Sequence, residues 1–382
     1  MLRYHYVKNL LLGNNNNRIY GLDIMRATAI LLVLVSHSRH YLKPLLGDIA
    51  EYLNFGGYLG VELFFVLSGF LIGGILLKLF NKKGKEITLK DIQVFWIRRW
   101  FRTLPNYYLV FFINVLFLSI TTGRFVFDYK YLIFIQNLFT PILGDMNYAQ
   151  SWSLTIEEWF YLITPLLFLL AIRLSKFNIK SIILTVIILL LCVFPIWKYF
   201  YYLIVDMIFK KGDKITFDVY RSVTFLRLDS LLYGVFMAYL NYYYKEFLQK
   251  KSKILFLTGV SSLIVIILIS ITNFHNNVER STSLLFNILF PSLGSLGLSF
   301  LLPLLNNFQE CPKNFFSKFV TFTSIISYSL YLLHFSVVYP IINSLHFNPV
   351  MSFLFFWLLS YFISALNYIL FEIRMTKLRE KF

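Results

Sequence analysis

Ten apolar runs divide this chain, and each is about long enough to cross a bilayer as a helix. They lie near residues 23–42, 57–79, 104–120, 152–172, 181–203, 223–243, 254–272, 284–306, 319–342 and 350–371. A transmembrane helix needs about 20 predominantly apolar residues. With 58% hydrophobic and 14% charged residues, the 382-residue chain cannot form one water-soluble core. The pattern predicts an all-α polytopic membrane protein in which about ten transmembrane helices surround a polar cavity.

The distribution of basic residues predicts how these helices are oriented. Ten spans put both termini on one side of the membrane, and short cytoplasmic loops collect Lys and Arg. With a cytoplasmic N-terminus, most of the 36 Lys and Arg residues fall on the cytoplasmic side, led by the loop at 78–102. The net charge of +17 then reflects topology and attraction to the lipid bilayer, and nucleic acid is not an expected partner.

This topology divides the chain into a cytoplasmic segment at 1–22, a transmembrane domain at 23–372 and a basic cytoplasmic tail at 373–382. No window resembles a cleavable signal peptide, so we expect the first segment to be retained. Cys192 and Cys311 give no disulfide framework and no metal-ligand spacing. We therefore predict no metal site and no permanently bound cofactor, and nothing in the sequence specifies the oligomeric state.

The first apolar run carries an arginine and a histidine on one helix face. Arg26 and His37 are eleven residues apart. At about 100° per residue, eleven steps return almost to the starting azimuth, roughly 16 Å further along the axis. Ionisable side chains inside a membrane span are costly and normally face a polar cavity. The pair therefore predicts a polar path through the helix bundle.

A layer of charges is expected near the cytoplasmic face. Its members are Asp23, Arg26, Arg98, Arg99 and Arg102, at the start of the first span and just before the third. A guanidinium group binds phosphate through two parallel hydrogen bonds, so the cluster is suited to a phosphate-bearing ligand. The alternative is that Arg98, Arg99 and Arg102 only anchor the loop on the cytoplasmic side, and that Arg26 pairs with Asp23, three residues before it.

A second layer of ionisable side chains, contributed by five spans, is expected in the outer half of the membrane. Its members are His37, Glu62, Glu157, Glu158, Arg227, Asp229 and His334. Groups gathered in a dry site can have the shifted pKa values that a general base near neutral pH requires. A histidine can take a proton from a hydroxyl, and an adjacent carboxylate would set its tautomer. The alternative for each side chain is a simple polar contact between helices.

Six strings, taken in chain order, resemble acyltransferase family 3, the bacterial polytopic O-acyltransferases that modify cell-surface sugars. They are LDIMRATAILLVLVSH, GVELFFVLSGFLIG, RRWFRTLPNYY, WSLTIEEWFYLITPLL, FLRLDSLLYG and ISYSLYLLHF. The resemblance covers residues 20–372. One departure is visible at its end, where similar proteins often have a proline soon after the acidic residue and this chain reads FEIRMTK around Glu372.

The resemblance implies that an acyl group, by default acetyl, passes from cytoplasmic acyl-CoA to a hydroxyl of a cell-surface or exported glycan or glycolipid. Acetyl-CoA is then a co-substrate, and the chain is a multi-pass protein of the bacterial inner membrane. Arg26, with Arg98, Arg99 and Arg102, would hold the phosphate end of CoA. His37 would act as general base, or would accept the acyl group itself as a covalent relay.

The remaining candidate residues assist these two. Glu62 or Glu157 would orient His37, and Ser68, Trp152 or Tyr331 would donate to the oxyanion of the tetrahedral intermediate. The other substrate-binding candidates in the outer layer are Arg227, Asp229 and His334.

A secondary transporter or flippase is the strongest alternative, because charged residues at mid-membrane depth are also typical of proton relays. The sequence lacks the paired halves with corresponding Gly or Pro breaks that such a protein would show. A structural scaffold would leave the shared face of Arg26 and His37 unexplained. Binding or hydrolysis of acetyl-CoA distinguishes the acyltransferase from both.

Overall fold

The computed structural model describes residues 18–140, 148–208, 221–275 and 284–382. These residues form ten main helices and no strand. In chain order the helices are α1 Tyr20–Leu46, α2 Asn54–Lys83, α3 Leu89–Thr122, α4 Ser151–Leu174, α5 Ile179–Ile208, α6 Leu228–Tyr243, α7 Lys245–His275, α8 Leu284–Ser299, α9 Phe315–Leu333 and α10 Pro349–Asn367. Short helices at Ile49–Tyr52, Leu302–Leu305, Tyr339–Ser344 and Ile373–Leu378 connect or extend them.

Nine helical segments within these ranges are long and apolar enough to cross a membrane, which confirms nine of the ten predicted spans. The exception is α6, which has 16 residues. Helix α8 is equally long, but its span continues through the short helix to Leu305. At 1.5 Å per residue α6 extends only about 24 Å, against a hydrocarbon thickness of about 30 Å. The prediction of a continuous helix over 223–243 is therefore wrong at its N-terminal end.

The segment before α6 is irregular because another part of the chain supplies its hydrogen bonds. A 3-10 turn at Thr224–Leu226 precedes the helix. The Thr224 amide donates to the Asn137 carbonyl at 2.8 Å, and the Asn137 side chain donates to the Ser222 carbonyl at 2.5 Å. Non-helical backbone at membrane depth is tolerated where protein satisfies its polar groups in this way.

Glycines bring α6 into backbone contact with α2. A Cβ atom on Gly69 would lie 1.9 Å from the Leu231 carbonyl oxygen, and one on Gly234 would lie 2.1 Å from the Val66 carbonyl oxygen. Small residues allow this close approach of membrane helices, where dispersion contacts replace the hydrophobic effect as the main attraction. Helices α2 and α6 are consequently a tightly packed pair near the middle of the bundle.

The bundle has an inner and an outer set of helices. We compare the most apolar 18-residue stretch of each helix. In α1 and in α2, 61% of this stretch is buried inside the protein, against 22% in α5 and 17% in α7. The outer helices expose large apolar side chains such as Leu189, Leu257 and Leu358. This is expected of surfaces in contact with lipid, and it leaves the inner helices to carry most of the polar groups.

Candidate active site

A cavity of about 510 Å³ opens between the inner helices, and we call it the arginine cavity. It begins at the end of the bundle where α1 starts and extends inward to Tyr331 in α9. Its polar lining includes Arg18, Asp23, Arg26, Ser68, Arg99, Arg102, Thr103, Ser153, Glu157, Ser324, Tyr328, Tyr331, Glu372 and Arg379. Arg26, Arg99 and Arg102, which the sequence analysis assigned to one layer, thus line the same cavity.

Arg26 shares its carboxylate partner with a second arginine. The predicted contact with Asp23 is present at 3.4 Å, and Arg26 also donates to the Ser324 hydroxyl at 3.2 Å. Arg18 holds Asp23 more closely, through two hydrogen bonds of 2.5 and 3.0 Å. Sequence reasoning missed Arg18 because it lies just outside the first apolar run. Its position five residues before Asp23 was the available signal.

Glu157 belongs to a chain of polar side chains along the cavity wall. It accepts hydrogen bonds from Ser68 at 2.9 Å and from the Tyr161 hydroxyl at 2.5 Å. Arg99 donates to the same Tyr161 hydroxyl at 2.5 Å, and its guanidinium lies 4.3 Å from the centre of the tyrosine ring. The carboxylate therefore orients Ser68, Tyr161 and, at 3.7 Å, Arg99, and His37 is not among its hydrogen-bond partners.

A second cavity of about 470 Å³ adjoins the first, and we call it the side cavity. Arg99, Arg102 and Arg379 line both cavities, whereas Arg98 lines only the side cavity. Arg379 follows the short helix Ile373–Leu378. Sequence reasoning treated it as part of a basic tail, and no local pattern indicated that the tail folds back against α3.

His37 contacts another histidine. Its Nδ1 atom lies 2.7 Å from Nε2 of His334, whose own Nδ1 lies 2.7 Å from the Leu330 carbonyl oxygen. The planes of the two rings are inclined by 23° with centroids 4.9 Å apart, and Phe335 packs on His37 at 4.7 Å. Neither histidine lines the arginine cavity. They lie next to its inner end, since the Tyr331 ring is 6.2 Å from the His334 ring.

The other two predicted oxyanion donors lie near this inner end and are held by neighbours. The Tyr331 hydroxyl is 2.6 Å from the Ser153 hydroxyl and donates to the Gln150 carbonyl at 3.1 Å. Trp152 packs edge-on against a phenylalanine of α2, and the guanidinium of Arg221 lies 5.1 Å from its ring. Arg221 was missed because it falls in a loop between apolar runs, where a basic residue carries no signal.

Glu62, Arg227 and Asp229 lie away from the cavity, in a cluster that we call the buried ionic network. Arg227 bonds Glu62, which also accepts from Ser295 at 2.6 Å. Asp229 accepts from Lys198 at 2.6 Å and from a serine of α8. Each of these four charged side chains is at most 4% exposed. These contacts match the alternative stated for each residue of the outer layer, a simple polar contact between helices. The hydrogen-bond partners of Glu62 are Arg227 and Ser295, so Glu62 does not orient His37.

Glu372 is a cavity residue to which the sequence analysis assigned no role. It accepts hydrogen bonds from Asn106 at 3.1 Å and Ser329 at 2.5 Å. It ends a π-helical turn at Tyr368–Glu372, and a second such turn begins at His334. Turns of this kind are frequent at functional sites because they shift which side chains face inward. An acidic residue directly after the last apolar run was the available signal.

The fold and the cavity define a helical membrane protein with a cation-lined site inside its bundle. The family model of acyltransferase family 3, described as an acyltransferase domain, matches residues 19–370, and the chain belongs to this family. The match confirms the family that the six sequence strings predicted. No solved structure matches it.

Three relatives illustrate the family. A Staphylococcus aureus protein provisionally named O-acetyltransferase SACOL0978 is 30% identical over 338 residues, which cover 84% of this chain and 50% of that protein. O-acetyltransferase OatA of Staphylococcus aureus is 26% identical over 339 residues, or 83% of this chain and 50% of that protein. YrhL of Bacillus subtilis, provisionally named a peptidoglycan O-acetyltransferase, is 34% identical over 176 residues, or 41% of this chain and 25% of that protein. The chain spans half the length or less of these relatives.

Proposed function

We propose that this protein transfers an acyl group, by default acetyl, from cytoplasmic acyl-CoA to a hydroxyl of a cell-envelope glycan. The observation that carries the proposal is the set of three arginines, Arg99, Arg102 and Arg379, shared by two adjoining cavities. The names of the relatives, which specify O-acetyltransferases and in one case peptidoglycan, support both the reaction and the acceptor class.

The two cavities suit the parts of the donor. Coenzyme A consists of a phosphorylated nucleotide joined through a diphosphate to a long, narrow pantetheine arm. The shared arginines bind the phosphates through charge-assisted hydrogen bonds. The nucleotide then occupies the side cavity, and the arm extends along the arginine cavity past Arg26 and Ser68 towards Tyr331.

The basic end of the bundle faces the cytoplasm, both termini lie there, and α6 with its irregular N-terminal segment completes the tenth crossing.

The acyl group is transferred at the inner end of the arginine cavity. His37 takes the proton of the acceptor hydroxyl while its oxygen attacks the thioester carbonyl. The Tyr331 hydroxyl exchanges its hydrogen bond to the Gln150 carbonyl for one to the oxyanion of the tetrahedral intermediate. The carbon–sulfur bond then breaks, and the CoA thiolate leaves and takes the proton from His37. A covalent relay, in which His37 carries the acyl group, gives the same products and is recognised by trapping acyl-protein in the absence of acceptor.

The experiment that tests the proposal measures transfer of radiolabelled acetyl from acetyl-CoA into extracted cell-envelope glycans. Membranes carry the wild type, His37→Ala or the matched control His40→Ala. His40 lies on the same helix but is exposed, so its removal leaves transfer intact. Transfer by wild type and His40→Ala, with loss in His37→Ala, supports the assignment. Equal transfer by His37→Ala contradicts it, and a purified protein that neither binds nor hydrolyses acetyl-CoA favours the transporter alternative.

A further inference from the structure

The ring of His37 contacts a histidine where the sequence predicted a carboxylate. We infer that His334 is a positioning residue that holds the proton of His37 on Nδ1 and so leaves Nε2 as the basic nitrogen. The inference deepens the proposed function, on which its catalytic consequence rests. Its structural part depends only on the contacts of the two rings.

His334 carries its proton on Nδ1. The Leu330 carbonyl oxygen is an acceptor only, so the Nδ1 atom at 2.7 Å must carry a hydrogen. The His334 side chain is 0% exposed. A second proton would place a cation among apolar groups, where an unpaired charge is costly. His334 is therefore neutral, and its Nε2 atom presents a lone pair.

His37 likewise carries its proton on Nδ1. Its Nδ1 atom lies 2.7 Å from the Nε2 lone pair of His334, so this contact is a hydrogen bond only if Nδ1 of His37 carries the hydrogen. A neutral imidazole has one N–H, and its other nitrogen then accepts protons. The Nε2 atom of His37 is thus the nitrogen that can serve as a base.

The local backbone keeps His334 in place. The Leu330 carbonyl, which has two lone pairs, accepts from the backbone N–H of His334 as well as from its ring. The ring is thereby bonded to its own helix at the point where the π-helical turn begins. Packing of the His37 ring against Phe335 at 4.7 Å restricts the second ring of the pair.

The two carboxylates that could have competed for this role are engaged elsewhere. Glu62 is bonded by Arg227 and Ser295 within the buried ionic network. Glu157 is bonded by Ser68 and Tyr161 on the cavity wall.

During the reaction the His334 proton does not move. Nε2 of His37 accepts the proton of the acceptor hydroxyl as the oxygen–carbonyl bond forms and the carbon–sulfur bond breaks. The imidazolium that forms keeps its Nδ1–H bonded to Nε2 of His334, which stabilises it, and the proton on Nε2 is returned to the leaving thiolate. His334 acts through His37 and touches neither substrate in this scheme.

Two amide variants test the assignment because they copy different ends of the His334 ring. Glutamine reaches the position of Nε2 with an oxygen that accepts from His37, whereas the shorter asparagine ends at the position of Nδ1. We expect kcat to fall on the order of 10²-fold or more in His334→Asn and less than about 10-fold in His334→Gln. KM for acetyl-CoA is unchanged in both, because the arginines that bind the phosphates are not affected.

A second measurement does not depend on activity. Nitrogen NMR of histidine-labelled protein, assigned by comparison with His37→Gln, reports which ring nitrogen of His37 carries the proton. We expect hydrogen on Nδ1 and none on Nε2 in the wild type and in His334→Gln, with a mixture of tautomers in His334→Asn. A wild-type His37 with its proton on Nε2 overturns the inference, as does an asparagine variant as active as the glutamine variant.

The two proposals fail in different ways. If the wild type shows the expected tautomer but transfers no acetyl group from acetyl-CoA, the proposed function is wrong and the positioning role of His334 stands. If the wild type transfers acetyl but His334→Gln is as inactive as His334→Asn while both bind acetyl-CoA normally, the positioning role is wrong.

Discussion

The arginine cavity and the buried ionic network use charged side chains in opposite ways. Five arginines and three carboxylates line the cavity, so positive charge is in excess there when all are ionised. The network pairs two cations, Lys198 and Arg227, with two carboxylates, Glu62 and Asp229. Its charges balance, and serines occupy further hydrogen-bonding positions on the carboxylates.

The difference separates an open site with excess positive charge from a closed cluster whose charges balance. An excess of one charge around an open space attracts a ligand of the opposite sign, whereas balanced charges in a closed space leave no net charge to attract one. Both regions produce the same sequence signal, which is an ionisable residue in or beside an apolar run. Only the balance of neighbouring charges and the presence of space distinguish them.

Breaking the buried ionic network should give the largest effect on stability. Arg227→Leu leaves Glu62 buried at 1% exposure without its cation. Removing one partner of a buried pair typically costs about 3–5 kcal/mol. We expect the variant to lose most of its folded yield and to show a clearly lowered melting temperature in detergent.

The double variant Glu62→Leu with Arg227→Leu sharpens this test. Removing both charges eliminates the uncompensated carboxylate, so the pair should regain much of the stability lost by the single variant. A single variant with wild-type stability would contradict the structural role. A double variant that is stable but inactive would instead indicate that Glu62 or Arg227 takes part in catalysis.

The contact between α2 and α6 should be nearly as sensitive. Gly234→Ala places a Cβ atom 2.1 Å from a backbone oxygen of α2, so the helices must separate. Overpacking of this kind costs about 1–3 kcal/mol and should also disturb the network that the two helices share. Gly74→Ala is the matched control, because nothing lies within 4 Å of a Cβ atom there. Equal melting temperatures for the two variants would disprove the close contact.

Local sequence patterns predicted most of the fold. Nine spans were found because hydropathy over about 20 residues is a local property that neighbouring helices hardly alter. The N-terminal end of α6 was not found, because the Thr224 backbone is bonded to Asn137, which is distant in the sequence. An apolar stretch such as this reads as helix when only its composition is considered.

The candidate site was predicted in part. Arg26, Arg99 and Arg102 were assigned to one layer by depth, and they line one cavity. Glu62 and His37 were placed at the same depth in the membrane, but depth does not show whether two side chains face each other. That depends on how each helix is rotated about its own axis, which is set by packing against its neighbours. The pairing of His37 with His334 depends on how α1 and α9 contact each other, and no local pattern contains that information.

The smallest predicted effect compares two arginines at the mouth of the cavities. Arg102 lines both cavities and Arg98 only the side cavity, and both side chains are exposed. Loss of a hydrogen bond to a charged group costs about 1.5–3 kcal/mol, so Arg102→Ala should raise KM for acetyl-CoA about 10- to 100-fold with kcat unchanged. Arg98→Ala should raise it less, and neither should lower the melting temperature, because neither charge belongs to the buried ionic network. Equal KM changes would mean that the phosphates do not lie where the two cavities meet, and a loss of stability in Arg102→Ala would remove the distinction between the two regions.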